Sequence, residues 1–340
     1  MNYPCFIRPA LLVLGFAIAS CGSDAQDNTS APPEPLELTP TDAPIPLGSI
    51  DAAYYQAIAY GPYDENLFDI YLPASDAPTP LLLYIHGGGF TGGSRDTSGD
   101  ADRVTSYLVE GIAYASIDYR LLRDFDPEGV IKPLTDSARC LQFIRYHAEQ
   151  LNIDRERIIL MGGSAGAGTS LWIGFNDDLA DASNEDPVLR QSTRVSAMVA
   201  IATQATYDIG KWSTVVFAEY NLDLLGLADQ LGLSQRLLDF YAIDDIELFD
   251  SPDILAYRAE VDMLDLMDAA DPPFYVQNDL EPAAAPLTVN LAFHHANHAL
   301  VLAEQADEIG LENVAYMKAL GIADPSGEDS LEFSLRHFGL

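Results

Sequence analysis

The sequence predicts an α/β protein, a mainly parallel sheet of eight strands with helices packed on both faces. Two observations predict it. Apolar runs bounded by turn residues recur eight times, at 55–60, 67–72, 81–85, 112–117, 158–161, 195–201, 274–277 and 314–319. The later runs alternate with helical patterns, such as Asp136 to Leu151, where Ala138, Leu141, Ile144 and Ala148 fall on one face.

Each element has its local reason. The first two runs are separated by Gly61-Pro62-Tyr63-Asp64-Glu65-Asn66, turn formers that suit an antiparallel hairpin. The remaining strands follow helical segments and pair in parallel. Between the sixth and seventh runs, residues 205–271 are too long for an ordinary connection. Leu222-Asp223-Leu224-Leu225-Gly226-Leu227 and Gln235-Arg236-Leu237-Leu238-Asp239-Phe240-Tyr241 carry helical periodicity, so this segment is expected to form a helical cap over one end of the sheet. No internal repeat is present, and low complexity is confined to the N-terminal region.

That region reads as targeting sequence. Arg8 precedes an apolar stretch from Leu11 to Ala19 that is too short for a permanent membrane span. Ile18-Ala19-Ser20-Cys21 resembles a bacterial lipobox, which implies cleavage after residue 20 and lipid on Cys21. The absence of aspartate at Gly22 and Ser23 resembles the pattern of lipoproteins sent to the outer membrane. The competing reading is a plain secretory signal with a chance cysteine. Residues 21–47, rich in proline and polar side chains, are expected to be a disordered tether, and 48–340 the folded domain. Cys5 leaves with the signal and Cys21 takes lipid, so Cys140 has no partner and no disulfide is expected.

Composition excludes some partners. The chain has 340 residues, with 17 basic and 52 acidic side chains and a formal net charge of −35. Such a charge repels polyanions, which excludes nucleic acid as a partner. The sequence carries no signal of oligomeric state.

Two motifs carry chemistry. The run ending at Met161 leads into Gly162-Gly163-Ser164-Ala165-Gly166 and then a helix-like pattern. This is G-x-S-x-G between a strand and a helix, where small residues let the chain turn sharply and lift a serine hydroxyl at the sheet's carboxyl end. Upstream, Leu81-Leu82-Leu83-Tyr84-Ile85 leads into His86-Gly87-Gly88-Gly89-Phe90. Consecutive glycines expose backbone N–H groups, which acyl transfer needs where a carbonyl oxygen becomes an oxyanion. Read alone, the glycines are equally a tight structural turn.

Taken together, Tyr84 to Phe90, Ser116-Ile117-Asp118-Tyr119-Arg120-Leu121, the Asp136 to Ile144 segment and Gly162 to Gly166 resemble the hormone-sensitive-lipase and carboxylesterase branch of the α/β-hydrolase superfamily. The resemblance is close over about residues 50–203 and looser beyond. It implies an α/β-hydrolase fold and a carboxylesterase acting on small or medium acyl esters without a cofactor. Ser164 would be the nucleophile, and Gly88, Gly89 and Ala165 the oxyanion hole. The acid expected after the seventh strand falls on Glu281, with Asp279 as substitute.

The histidine departs from that pattern. The family places it after the eighth strand, but here Gly321-Ile322-Ala323-Asp324-Pro325-Ser326-Gly327 follows, with no histidine before His337. The cluster Phe293-His294-His295-Ala296-Asn297-His298 offers a base from an unusual place in the chain, with His295 or His298 the expected residue, since a triad is defined by geometry and not by order. The same cluster also reads as helix capping, and a divalent-metal reading is disfavoured because no zinc spacing matches. His86 is read as orienting the glycine loop, and His147 as surface or core filler. A non-catalytic ester-binding protein and a peptidase of the same fold stay open as alternatives.

Overall fold

A computed structural model describes residues 35–280 and 284–340. The signal segment, Cys21 and Glu281 lie outside the described residues. Eight strands form one sheet: β1 (Ala52–Ala59), β2 (Leu67–Pro73), β3 (Thr79–Ile85), β4 (Ala113–Ile117), β5 (Ile153–Gly163), β6 (Ala197–Ile201), β7 (Phe274–Gln277) and β8 (Asn313–Tyr316). Their spatial order is β1-β2-β4-β3-β5-β6-β7-β8. β1 pairs with β2 and β2 with β4 antiparallel, and every other pairing is parallel. The α/β expectation, with a mainly parallel eight-stranded sheet, is borne out.

The central strands are apolar on both faces because both faces are covered. In β3, Leu81 and Leu83 enter one core cluster and Leu82 the other, and all three are fully buried. In β5, Ile158 and Leu160 alternate in the same way with Ile159 and Met161. Each such side chain contributes about 1.5–3 kcal/mol relative to leaving it in water. One face is covered by α2 (Ile131–Tyr146), α3 (Ala165–Phe175) and α9 (Ala296–Ile309), through Leu134, Leu141, Leu171 and Leu302. The other is covered by α1 (Ala101–Val109) and α10 (Ser330–Phe338), through Val104, Leu108, Phe333 and Phe338.

Two boundaries differ from expectation. The helix read from Asp136 to Leu151 runs instead from Ile131 to Tyr146. Pro133 lies in its first turn, where the missing N–H costs nothing because no intrahelical acceptor exists for it. The expected tether is also shorter where it is described. Thr41 bridges to Tyr54, Leu36 N donates to Gln150 Oε1 at 2.7 Å, and Ile45 is buried against the α1/α10 side of the sheet. The few apolar residues between Leu36 and Leu47 are enough to hold this stretch on the domain.

Between β6 and β7 the chain forms helices α4 (Leu224–Gln230), α5 (Ser234–Tyr241), α6 (Pro252–Glu260) and α7 (Met263–Leu266). Buried Arg258 fastens this region, pairing with Asp208 at 2.6 Å and Asp250 at 2.9 Å. After β7, a short helix α8 (Val289–His294) runs directly into α9. Among the described residues no helix is long and apolar enough to cross a membrane.

Candidate active site

The turn from β5 into α3 sets the site. Ser164 occupies it with φ 53° and ψ −119°, a strained backbone for a residue with a side chain. Glycines on either side make the turn feasible. A Cβ on Gly162 would lie 2.1 Å from the Gly166 carbonyl carbon, and one on Gly166 would lie 2.0 Å from the Ile85 oxygen. The Ser164 N–H donates to the Ile201 carbonyl at the end of β6 at 2.8 Å, which ties the turn to the neighbouring strand.

The glycine loop after β3 packs directly on this turn. A Cβ on Gly87 would meet the Gly163 oxygen at 2.7 Å and the Ser164 Cβ at 3.3 Å. Gly88 and Gly89 have φ values of 103° and 58°, and they line one cavity with Ser164 and Ala165. The N–H groups of Gly88, Gly89 and Ala165 donate to no acceptor among the described residues. Three backbone donors without a partner among the described residues therefore line the cavity with the serine, the kind of group an oxyanion requires.

His86 and Tyr119 hold the loop. The Tyr119 hydroxyl donates to the His86 carbonyl at 2.8 Å and its ring stacks on the imidazole at 4.2 Å. His86 Nδ1 is 2.7 Å from the Gly87 carbonyl, and burial lowers the ring's pKa, which favours the neutral form. Arg120 fastens the adjoining segment by forking onto Asp136, with both nitrogen–oxygen distances 2.8 Å. Tyr119, Arg120 and Asp136 thus hold the segments around the loop and do not line the cavity.

The imidazole at Ser164 is His294, and this corrects the expectation of His295 or His298. Ser164 Oγ lies 2.8 Å from His294 Nε2, and His294 Nδ1 lies 2.8 Å from Asn290 Oδ1, one turn earlier in α8. His294 ends α8 facing the cavity, and the chain then turns at His295 (φ −57°, ψ 144°) to start α9. His295 is buried and spends Nδ1 accepting from the Asn297 N–H at 3.0 Å, as a helix cap. His298 is fully buried, with Nδ1 accepting from the Ala205 N–H at 3.1 Å and Nε2 donating to the Ala292 carbonyl at 2.9 Å. Burial pushes its pKa down to about 3. With both nitrogens committed to backbone, His298 has no lone pair for a serine proton, and the three rings do not converge as metal ligands. Among the described residues no group of histidine, cysteine and carboxylate side chains is placed to hold a metal.

Side chains that the sequence reading did not single out place His294. Carbonyls on both sides of it are clamped: Ala292 by His298, Phe293 by Gln204 Nε2 at 2.7 Å, and His295 by Asn278 Nδ2 at 3.0 Å. Asn278 also exchanges bonds with the Thr203 backbone, both 2.9 Å, so the ends of β6 and β7 hold the α8–α9 junction. Asp279, the substitute acid, does not meet His294. Its carboxylate accepts from Gln277 Nε2 and from the Lys318 N–H at 3.3 Å, because it points towards the end of β8. Burial alone lowers the His294 pKa, which keeps the ring neutral at pH 7.

The cavity over these groups measures about 370 Å³ and is roofed by cap residues including Leu224, Leu227, Leu231, Leu237 and Phe240. That size lies within the usual range for small-molecule sites. His147, by contrast, is buried against Phe143 at 4.4 Å, away from the site.

The strand order and the serine at the β5–α3 turn define an α/β-hydrolase fold. Solved structures agree: a truncated carbohydrate esterase from gut microbiota superposes with TM-score 0.60 over 90% of this chain and 99% of its own, at 16% identity. Within that fold, residues 68–221 match the BD-FAE family profile. A probable isoprenylcysteine alpha-carbonyl methylesterase of Arabidopsis thaliana is 27% identical over 165 residues, covering 46% of this chain and 33% of the relative. Esterase LipI of Mycobacterium tuberculosis is 33% identical over 100 residues, covering 28% of this chain and 30% of the relative. The chain thus spans about a third of the length of the curated relatives it matches.

Proposed function

We propose that this protein is a serine carboxylesterase that cleaves small or medium acyl esters through an acyl-enzyme on Ser164. One observation carries the reading: Ser164 Oγ lies 2.8 Å from a neutral imidazole and beside three unspent backbone donors. In the reaction, Ser164 Oγ attacks the ester carbonyl carbon while His294 Nε2 takes its proton. The Gly88, Gly89 and Ala165 N–H groups receive the oxyanion. As the tetrahedral species collapses, the protonated His294 donates to the departing alcohol oxygen. Water then loses a proton to His294 and attacks the acyl carbon, and the acid leaves as Ser164 regains its hydrogen.

Among the described residues, Asn290 is the side chain that meets His294 Nδ1. Its Oδ1 accepts the Nδ1 proton of His294, which leaves the Nε2 lone pair for the serine. A neutral amide fixes the tautomer but stabilises the imidazolium less than a carboxylate does. The apolar roof favours an aliphatic or aromatic acyl group over a sugar, since a sugar's hydroxyls would lose their water without partners there. Esterase relatives over part of the chain support the same chemistry.

The test combines labelling and turnover. A fluorophosphonate probe is expected to label wild type and not Ser164→Ala, with 4-nitrophenyl butyrate hydrolysed and a peptide 4-nitroanilide left intact. Unchanged labelling in Ser164→Ala overturns the reading. We propose also that Cys21 carries lipid and holds the protein at the outer membrane of a bacterial envelope, on the strength of Ile18-Ala19-Ser20-Cys21. Labelled palmitate incorporated by wild type and equally by Cys21→Ser would refute this.

A further inference from the structure

Arg236 lies on α5 and lines the cavity that contains Ser164 and His294. Its Nη2 donates to the Gly89 carbonyl at 2.7 Å, and its guanidinium carbon stands 5.2 Å from the centre of the Phe293 ring. The charge is therefore suspended between the glycine loop and the segment that carries His294. A guanidinium has five N–H donors, and only this one bond uses them among the described residues.

Among the described residues, Arg236 has no counter-ion. This chain carries 52 acidic side chains, and Arg95, Arg103, Arg120 and Arg258 each pair with carboxylates. Arg236 pairs with no carboxylate among the described residues, and the described residues lining the cavity include no aspartate or glutamate. Burial accordingly lowers its pKa. A half-buried cation in an apolar cavity, with its remaining donors unspent, is energetically incomplete until an anion enters.

Resting on the esterase reading above, we propose that the cavity selects esters that bear a carboxylate, which Arg236 binds while Ser164 attacks the ester carbonyl. The carboxylate belongs either to the acyl part, as in the half-ester of a dicarboxylic acid, or to the alcohol part. The fork of N–H groups on Arg236 matches its two oxygens. The apolar roof then covers the methylene chain between the two functional groups.

The experiment compares matched esters at an ionic strength of about 0.15 M, where the Debye length of about 8 Å limits repulsion by the chain's net charge. On the acyl side the pair is mono-4-nitrophenyl glutarate and 4-nitrophenyl valerate, and on the alcohol side 4-butyryloxybenzoate and phenyl butyrate. In one pair, wild type is expected to prefer the carboxylate ester, and Arg236→Met to lose about 10- to 100-fold more kcat/KM on it than on the neutral ester. Arg236→Lys is expected to recover part of that difference, because it restores charge without the fork. Equal losses on both members of each pair would mean that Arg236 only steadies Gly89, and would overturn the proposal. A second measurement does not depend on turnover: calorimetric titration of Ser164→Ala with monomethyl glutarate and with methyl valerate. Preference for the carboxylate that disappears in the Ser164→Ala, Arg236→Met double variant supports anion recognition even if the esterase reading fails. Equal binding of the two esters, beside fluorophosphonate labelling of wild type at Ser164, would sink the proposal and leave the esterase reading standing.

Discussion

Replacing His294 by alanine tests the site most directly. The substitution removes the only imidazole within hydrogen-bond reach of Ser164 Oγ among the described residues, at 2.8 Å. A positioned general base contributes about 10²- to 10⁴-fold, so kcat/KM for 4-nitrophenyl butyrate is expected to fall by that factor, about 3–5 kcal/mol of barrier. No neighbour replaces it. His298, with a pKa near 3, would accept a proton at pH 7 only at a cost of about 5 kcal/mol, and His295 Nδ1 is spent on the Asn297 amide. The fold should survive, since His294 is half-buried at a helix end, and circular dichroism with a thermal melt checks this. Esterase activity above roughly a tenth of wild type in a folded His294→Ala protein is incompatible with the 10²-fold minimum, and would refute the assignment of the base.

Three further outcomes follow from neighbouring residues. Burial lowers the His294 pKa below its ordinary 6.5, and the base works neutral, so the acid limb of the kcat/KM profile is expected with its midpoint below pH 6.5; a midpoint above 7 contradicts it. Asn290→Asp puts a carboxylate against Nδ1, which should move that midpoint up by about one unit or more, whereas Asn290→Ala should lower kcat about tenfold or more by freeing the ring; pH–rate profiles of both variants check this. His298 is neutral in the folded protein and charges in the unfolded chain as pH falls below 6.5. Its contribution is therefore full above that pH and is lost towards its folded pKa near 3, by about 2 kcal/mol between pH 6.5 and 5. Urea denaturation at pH 7 and 5 should show this acid-side loss in wild type and a smaller one in His298→Gln, the comparison cancelling groups common to both, such as Asp271, whose pKa is raised to about 6.

The sheet was legible because its signal is local. Strand positions follow from apolar runs such as Leu81 to Ile85, and the serine turn from glycines whose absent Cβ atoms leave room for the Ile85 and Gly166 backbones. The helix boundary at Ile131 was hidden because Pro133 reads as a breaker unless its place in the first turn is known. The choice among three histidines was not local at all. His294, His295 and His298 differ in role because Gln204 and Asn278 clamp the backbone around them and the Ala205 amide binds the His298 ring, contacts that cross 89, 17 and 93 residues of sequence. Periodicity does not report which of two adjacent side chains faces a cavity when a helix ends between them. A faint signal existed in Asn290, four residues before His294, the spacing at which two side chains share a helix face.

In the proposed mechanism, a base carried by the β7–β8 connection follows from what catalysis demands of the sheet. Ser164 is fixed by its own amide to Ile201 at the end of β6, so a partner need only be held relative to the neighbouring strand ends. Asn278, immediately after β7, does this by binding the Thr203 backbone on one side and the His295 carbonyl on the other. The ring on His294 is thus referenced to the strand that fixes the serine, and the loop after β8 is not needed for the proton transfer. That loop instead brings the Lys318 amide to Asp279. The geometry that suffices for a serine and a histidine can therefore move along the chain, while Asp279, the substitute acid, stays with the β8 loop and an asparagine one helical turn away orients the ring.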